Sequence, residues 1–240
     1  MNRIIKQRFR SRARPAAGVL LMMLLCATQA GAAGIANGDF AMGNLSGWTG
    51  AANVSSLNSS AVYQVGLGID GTDDFYSGEL VVGANAYSYS EPPEPIAWAN
   101  ASLSQIFDAA AGDRLSLWVR PSITSYSFVG GPHSASVVAT VTVLGLGDNV
   151  IWQVMPDMGE PLGTPSWAHF TTTPLPAGTY MLRVGLAANT TLIDPPSTQW
   201  DAANVGGTLN VDHVQLLPEP SSLILLALGG LGIARRRRVR

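Results

Sequence analysis

The sequence predicts an all-β protein, an antiparallel sandwich or barrel, and three features of residues 34–217 lead to this. Apolar and polar residues alternate over several short segments, as they do in strands that are buried on one face. Turn-forming Gly, Pro, Asn and Asp residues separate these segments at regular intervals. No convincing helical periodicity interrupts them, and no internal repeat indicates a propeller or solenoid.

The clearest alternation lies in residues 113–120, where Leu115, Leu117 and Val119 face one way and Trp118 faces the other with the arginines. Such a segment is expected to form a strand of a sheet with one face in the core. By the same criterion we predict further strands over residues 101–107, 135–144, 150–154, 167–173, 179–186 and 208–217.

The start of this region and its Pro- and Gly-rich stretches complete the predicted organisation. An N-terminal strand is expected to place Phe40 and Trp48 in the core. Prolines exclude central strand positions and favour extended loops. We therefore predict loops over residues 87–95, 156–165 and 188–207.

The N-terminus reads as a secretory signal peptide over residues 1–33. Six basic residues precede Ala16, an apolar segment follows to Ala27, and small residues continue to Ala33. This order is typical of export signals, which are removed from the mature protein. Cleavage after Ala30 and cleavage after Ala32 both satisfy the preference for small residues.

The C-terminal segment, residues 218–240, combines a short motif, an apolar run and a basic end. An apolar run over 223–234 follows the motif and is shorter than the roughly 20 residues that usually span a bilayer. A basic cluster directly after it is where a positive-inside anchor ends. We therefore predict a short transmembrane helix. The motif and the cluster consist of Pro218, Glu219, Pro220, Arg235, Arg236, Arg237 and Arg238.

This order resembles the PEP-CTERM sorting signal of Gram-negative bacteria that produce exopolysaccharide. The resemblance implies an exported protein that is held transiently in the inner membrane. It also implies cleavage by an exosortase near Pro218–Pro220 and release toward the cell envelope or the extracellular matrix.

Removing both ends changes the charge of the chain. The region 34–217 keeps three basic residues, all arginine, against 15 acidic residues, a net charge near −12. A body with this charge repels nucleic acid and anionic membrane surfaces, so we expect neither as a partner. The single cysteine lies in the signal peptide, so no disulfide stabilises the mature protein.

A second resemblance joins the two ends of the body. The segments NGDF at 37–40, LSGW at 45–48 and LNVDHVQL at 209–216 resemble galactose-binding-type jelly rolls, a two-sheet sandwich that many carbohydrate-binding modules share. The resemblance implies a jelly-roll fold. It also implies a structural calcium ion held by Asn37, Asp39 and Asp212, since a hard cation takes oxygen ligands.

Carbohydrate binding requires exposed aromatic rings that stack on sugars, with polar neighbours that fix the orientation. The preferred candidates are Trp118, on the polar face of its strand, and the pair Tyr87 and Tyr89, in a Pro-rich stretch. Packing in the core or in a loop is the alternative for each. Other aromatic residues of the body considered for this role are Trp98, Tyr126, Trp152 and Trp200.

Motifs for catalysis are missing from the sequence. It contains neither a nucleophile elbow nor an HExxH zinc motif. The carboxylate pairs Asp73–Asp74 and Glu91–Glu94 lie in predicted turns, whereas a glycosidase needs two carboxylates across one cleft. We therefore expect a non-enzymatic surface or matrix protein that binds extracellular polysaccharide. The alternatives are a purely structural matrix protein and, third, a glycan-active hydrolase.

Overall fold

The computed structural model describes residues 34–55, 58–68, 76–88, 94–163, 166–193 and 201–219. The predicted signal peptide and the predicted membrane helix lie outside these ranges. No helix within them has the length and hydrophobicity needed to cross a bilayer. The described ranges form ten strands: β1 (Thr49–Val54), β2 (Ser60–Leu67), β3 (Tyr76–Tyr87), β4 (Ile96–Ala109), β5 (Arg114–Val129), β6 (His133–Leu144), β7 (Val150–Val154), β8 (Ala168–Thr171), β9 (Gly178–Leu192) and β10 (Ala202–Leu217).

The strands form two five-stranded sheets with antiparallel pairing throughout. The first sheet has the order β1-β4-β9-β6-β7 and the second has the order β2-β3-β10-β5-β8. From β3 onward the chain pairs as a nested series: β3 with β10, β4 with β9, β5 with β8 and β6 with β7. This is a long hairpin rolled into two sheets, the jelly-roll topology. The predicted sandwich and jelly roll are confirmed.

The core lies between the two sheets and is built from the alternate residues that the sequence identified. Leu115, Leu117 and Val119 on β5 are fully buried, as are Leu182 and Val184 on β9. Each large side chain removed from water contributes roughly 1.5–3 kcal/mol. The predicted alternation is therefore confirmed in both sheets, and the polar residues between these positions form the two outer faces.

The N-terminal segment corrects one prediction and confirms another. Residues 36–43 form turns instead of a strand, and Asn37 and Phe40 adopt left-handed φ angles of 48° and 52°. Strand pairing begins only at Thr49. Phe40 and Trp48 are nevertheless buried and stack with their ring centroids 5.3 Å apart. The two aromatic anchors are core residues, as predicted, but turns deliver them.

A buried glutamine on β4 holds these turns in place. The Gln105 side chain accepts a hydrogen bond from the Ala36 amide at 3.1 Å. Its amide nitrogen donates to the carbonyl oxygens of Ala36 at 2.9 Å and Gly47 at 2.8 Å. Buried main-chain groups need such partners, because an unpaired one costs about 1–3 kcal/mol. Gln105 thus replaces the ladder bonds that the predicted N-terminal strand would have made.

The predicted loop at 188–207 is wrong for most of its length. β9 continues to Leu192 and β10 begins at Ala202, leaving only the residues between the two strands for a loop. The prolines at positions 195 and 196 favoured a loop, and the prediction extended it too far into both strands. Gly206 and Gly207 lie at a shift in the register between β10 and β5. The loop predicted at 156–165 is confirmed over its described part.

Gly38 tests how tightly the N-terminal turns pack on β10. The Val214 amide donates to the Gly38 carbonyl at 2.8 Å, and a Cβ added at Gly38 would lie 1.9 Å from the Val214 carbonyl oxygen. Main chain cannot move aside cheaply, so we expect Gly38→Ala to lower the free energy of unfolding by about 3 kcal/mol. Urea unfolding of the exported protein measures this. Gly34→Ala is the matched control because no atom lies within 4 Å of that Cβ position, and an equal loss in both variants would contradict the contact.

Candidate functional site

The outer face of the second sheet carries one row of polar side chains across four strands. Gln64 on β2 is paired with Glu79 on β3, Glu79 with Asn210 on β10, and Asn210 with Arg120 on β5. Residues in direct register share a face of the sheet. Asn210 lies between Leu209 and Val211, which are fully buried in the core, so this row points away from the core. We call these four residues the polar row.

Hydrogen bonds join the members of the polar row to one another. The Gln64 amide donates to Glu79 Oε2 at 2.6 Å, and the Asn210 amide lies 3.5 Å from Glu79 Oε1. Asn210 also donates to Ser77 Oγ at 3.1 Å, and its Oδ1 accepts from Arg120 at 3.5 Å. Asn210 is only 3% exposed and contacts the ionic residue on each side. It therefore fixes a carboxylate and a guanidinium at set positions on one surface.

Trp118 occupies the next outward position on β5, beside the polar row. It lies opposite His169 of β8, with the ring centroids 4.8 Å apart. The His169 ring is held in turn by Ser116, whose Oγ lies 2.7 Å from Nε2. Trp118 is half-buried, so its ring has a supported side and an accessible part. The structure thus places Trp118 on the polar face, where the sequence analysis had put it.

An open depression of about 570 Å³ adjoins the polar row. Glu79 and Arg120 line it together with Tyr76, which is 43% exposed. The Arg120 guanidinium lies 4.9 Å from the centroid of the Trp167 ring. A cation over an aromatic face is held by the ring quadrupole, which limits the motion of the side chain. The depression is therefore bordered by an aromatic ring and by two positioned ionic groups.

Tyr87 lies on the same outer face but far from Trp118. Along β10, Tyr87 is paired with Ala202 and Trp118 with Asp212. Ten residues at a rise of roughly 3.3 Å separate these positions by about 33 Å. Tyr89 lies outside the described residues. The structure thus does not bring Trp118 and Tyr87 into one small site.

The remaining aromatic candidates are dispersed. Trp152 packs against the core, and Tyr126 makes an edge contact with Phe128. Trp98 is half-buried on the outer face of the first sheet, between the buried residues Ala97 and Ala99. Trp200 lies outside the described residues. None of these described rings lies beside the polar row.

The structure places the three predicted calcium ligands on two segments that contact each other. Asn37 and Asp39 lie in the N-terminal turns, and Asp212 lies near the Val214 position that binds Gly38. Asn37 Oδ1 is buried, and no donor of the described residues reaches it. Asp212 is fully buried, with its Oδ1 accepting from the His213 amide at 2.7 Å. Asp39 is exposed and caps the Ala41 amide at 3.2 Å.

These side-chain oxygens would supply part of the coordination shell of a cation. An orphaned amide oxygen and a buried carboxylate are both ligands that Ca²⁺ accepts. The described residues contain no cluster of three or more His, Cys, Asp or Glu with metal-binding geometry. A site here would therefore need main-chain oxygens or water in addition to Asn37 and Asp212.

The C-terminal motif begins where the last strand ends. β10 runs to Leu217, which is paired with Arg114, and Pro218 follows at once. Pro218 and Glu219 are exposed, whereas Pro220 and Arg235–Arg238 lie outside the described residues. Residues 217–238 match the model of the PEP-CTERM protein-sorting motif.

The tail is a PEP-CTERM sorting signal. The match confirms the predicted motif, and it implies export, a membrane-anchored tail and processing by an exosortase. No curated protein matches the chain.

Among solved structures, the chain is similar to several proteins at low sequence identity. One is the enzymatically active domain of bacteriophage CBA120 tailspike protein 4, with 14% identity, a TM-score of 0.42, and coverage of 76% of this chain but 21% of that chain. Another is TmCBM61 in complex with β-1,4-galactotriose, with 14% identity, a TM-score of 0.40, and coverage of 76% and 96%. A third, described as CBM4, has 12% identity, a TM-score of 0.36, and coverage of 77% and 99%. These similarities are too low to identify a ligand.

Asn210 allows a direct test of the polar row. Asn210→Ala removes the group that joins Glu79 to Arg120 and takes a partner from the buried Ser77 hydroxyl. Because buried polar groups are left unpaired, we expect the free energy of unfolding to fall by about 1–3 kcal/mol. Urea unfolding measures the change. Gln64→Ala, at the exposed end of the row, is the control and should have an effect near zero. Equal effects would mean that Asn210 does not organise the row.

Proposed function

We propose that the exported body is a non-enzymatic module that binds extracellular polysaccharide on the outer face of its second sheet. The observation that carries this proposal is the polar row beside the supported ring of Trp118. A sugar presents an apolar face to an aromatic ring and hydroxyl groups to planar donors and acceptors. The row supplies both partners for hydroxyl groups, a guanidinium and a carboxylate, next to the ring.

The fixed geometry of the row favours binding. Side chains that are already held in place lose little rotamer freedom when a ligand arrives, and this lost freedom is a main cost of association. Asn210 contacts both Glu79 and Arg120, and the Trp167 ring lies 4.9 Å from the Arg120 guanidinium. A site on strands of a rigid sheet keeps this geometry more precisely than a loop does.

The charge of the body favours neutral polysaccharides. Glu79 and Arg120 balance each other within the row, while the body as a whole has a net charge near −12, from three basic and 15 acidic residues. An acidic polysaccharide is repelled by a field of this sign. We therefore propose a neutral glycan as the ligand.

The sorting signal supports an exported location, where an extracellular polysaccharide would be present. The motif implies export and a membrane-anchored tail that an exosortase processes. We further propose that the protein has an N-terminal signal peptide, that it is released into the cell envelope or the extracellular matrix, and that its host is a Gram-negative bacterium.

The two alternatives differ from this proposal in what they require of the same face. A glycosidase requires two carboxylates across a cleft. Within the polar row Glu79 is paired instead with amides and faces Arg120 beyond Asn210. A purely structural matrix protein requires no positioned aromatic residue, whereas Trp118 is held by His169.

A polysaccharide panel tests the proposal. Purified exported protein should bind at least one neutral polysaccharide saturably, and Trp118→Ala should weaken that binding about tenfold or more. Stacking and burial worth roughly 1.4 kcal/mol correspond to that factor. Trp98→Ala is the matched control, since this half-buried ring lies on the outer face of the other sheet. Equal losses would contradict the site, hydrolysis of a glycan would favour an enzyme, and the absence of any binding would favour a structural protein.

We also propose a structural calcium ion bound by Asn37 Oδ1 and Asp212, with Asp39 or main-chain oxygens completing the set. Its function would be to join the N-terminal turns to the end of β10. The buried, unpartnered Asn37 oxygen is the observation that supports it. A cation there would satisfy an acceptor that otherwise costs about 1–3 kcal/mol.

Thermal unfolding with calcium and with chelator tests this second proposal. Calcium at about 100 times its Kd adds roughly 2.7 kcal/mol, which corresponds to a rise in Tm on the order of 5–10 °C for a domain of this size. Asn37→Ala should abolish the rise. Asp157→Asn is the control. Asp157 caps a turn in an exposed loop outside the proposed site, so this variant should leave the rise in Tm unchanged. A Tm that chelator leaves unchanged would contradict calcium binding.

A further inference from the structure

The sorting motif and the fold overlap at one residue. Leu217 is the last residue of β10 and the first residue of the motif match. It is still paired with Arg114 on β5. The folded sheet therefore extends to the segment that the exosortase must bind, with no linker between them.

The end of β10 is held more weakly than the rest of the strand. β10 pairs with β3 only as far as Val211, and its pairing with β5 is irregular between Asp212 and Gln215. Beyond this irregularity, residues 215–217 pair with β5 alone among the strands that the structure describes. His213, within the irregular part, has a left-handed φ of 48°. Residues 215–217 are thus a short strand end beyond a bulge, and we call them the strap.

The strap is less buried than the strand before it. Gln215 and Leu217 are exposed, and Leu216 is half-buried and packs against the edge of the core. Val214, just before the strap, is buried and hydrogen-bonded to Gly38. Glu219 lies against the turn at Gly112, where an added Cβ would be 2.6 Å from its Oε2. Releasing the strap therefore breaks its strand pairs, the packing of Leu216 and this surface contact.

A peptidase usually binds its substrate as an extended segment. It forms hydrogen bonds to the main chain of that segment on both sides of the peptide bond that it cleaves. Residues 218–222 separate the strap from the apolar run and reach at most about 18 Å when extended. The residues directly before the motif, 215–217, are paired with β5 and are therefore not available to a cleft on that side. A cleft cannot close on the motif from its N-terminal side while the strap is paired with β5.

We infer that the strap leaves β5 and forms part of the extended segment that the exosortase binds, so that the end of the jelly roll belongs to the recognised substrate. Unpairing of residues 215–217 precedes cleavage, and the bulge at residues 212–215 confines it to the end of the strand. This inference rests on the sorting signal and is independent of the glycan proposal.

Processing of the full-length chain in an exosortase-containing host tests the inference. A disulfide between R114C and L217C locks the strap, since these two residues are paired and the only native cysteine lies in the predicted signal peptide. We expect this lock to slow loss of the tail at least about tenfold, with recovery in reductant. The matched control lock, V81C with T208C, joins β3 to the middle of β10 and should leave processing unchanged.

A variant with a spacer distinguishes the effect of holding the strap on β5 from any other effect of the disulfide. Six Gly and Ser residues inserted between Leu217 and Pro218 should restore wild-type processing to the locked chain, because the motif then reaches the cleft while the strap stays paired. Cleavage of the locked chain without spacer at the wild-type rate would overturn the inference. A locked chain with spacer that stays uncut would also overturn it. A wild-type chain that keeps its arginine tail would refute the sorting function itself, whatever polysaccharide the body binds.

Discussion

The structure depends on β10, the last strand of the fold, lying at the centre of its sheet. β10 lies between β3 and β5 and pairs with both, so it is the strand that joins them in one sheet. Strand pairing between distant parts of a chain costs loop-closure entropy before it brings stabilising contacts. The second sheet is therefore incomplete until residues 202–217 have paired with both β3 and β5.

The same strand serves three roles that are separated along its length. Its first half supplies buried residues such as Val205, Asn210 in its middle organises the polar row, and its end leads into the sorting signal. A strand that must be rigid in the core and available at its end needs a mechanical break. The bulge at residues 212–215 provides one, and the hydrogen bond from the Val214 amide to the Gly38 carbonyl fixes the strand directly before residues 215–217.

Local patterns predicted the strands from β4 onward but not β1, β2 or β3, and they could not predict register or bulges. Alternation identified Leu115, Leu117 and Val119, and β7 has the predicted bounds. The start of β10 was missed because the loop favoured by the prolines at 195 and 196 was extended to residue 207, whereas β10 begins at Ala202. The polar row could not be predicted, because Gln64, Glu79, Asn210 and Arg120 meet only through the register of four strands. Gln105 was missed because a buried amide that replaces ladder bonds has no sequence signal.

Charge explains why specificity at the polar row should come from shape. The exported body has three basic residues, and two of them, Arg114 and Arg120, lie on β5. Arg120 contacts Asn210 and the Trp167 ring, and Glu79 lies on the other side of Asn210 in the row. Because the body as a whole is strongly acidic, the net field around this guanidinium does not attract anions from a distance. What remains selective is the spacing between its donors, the Glu79 acceptors and the Trp118 ring, and hydroxyl groups on a rigid sugar ring can match such a spacing.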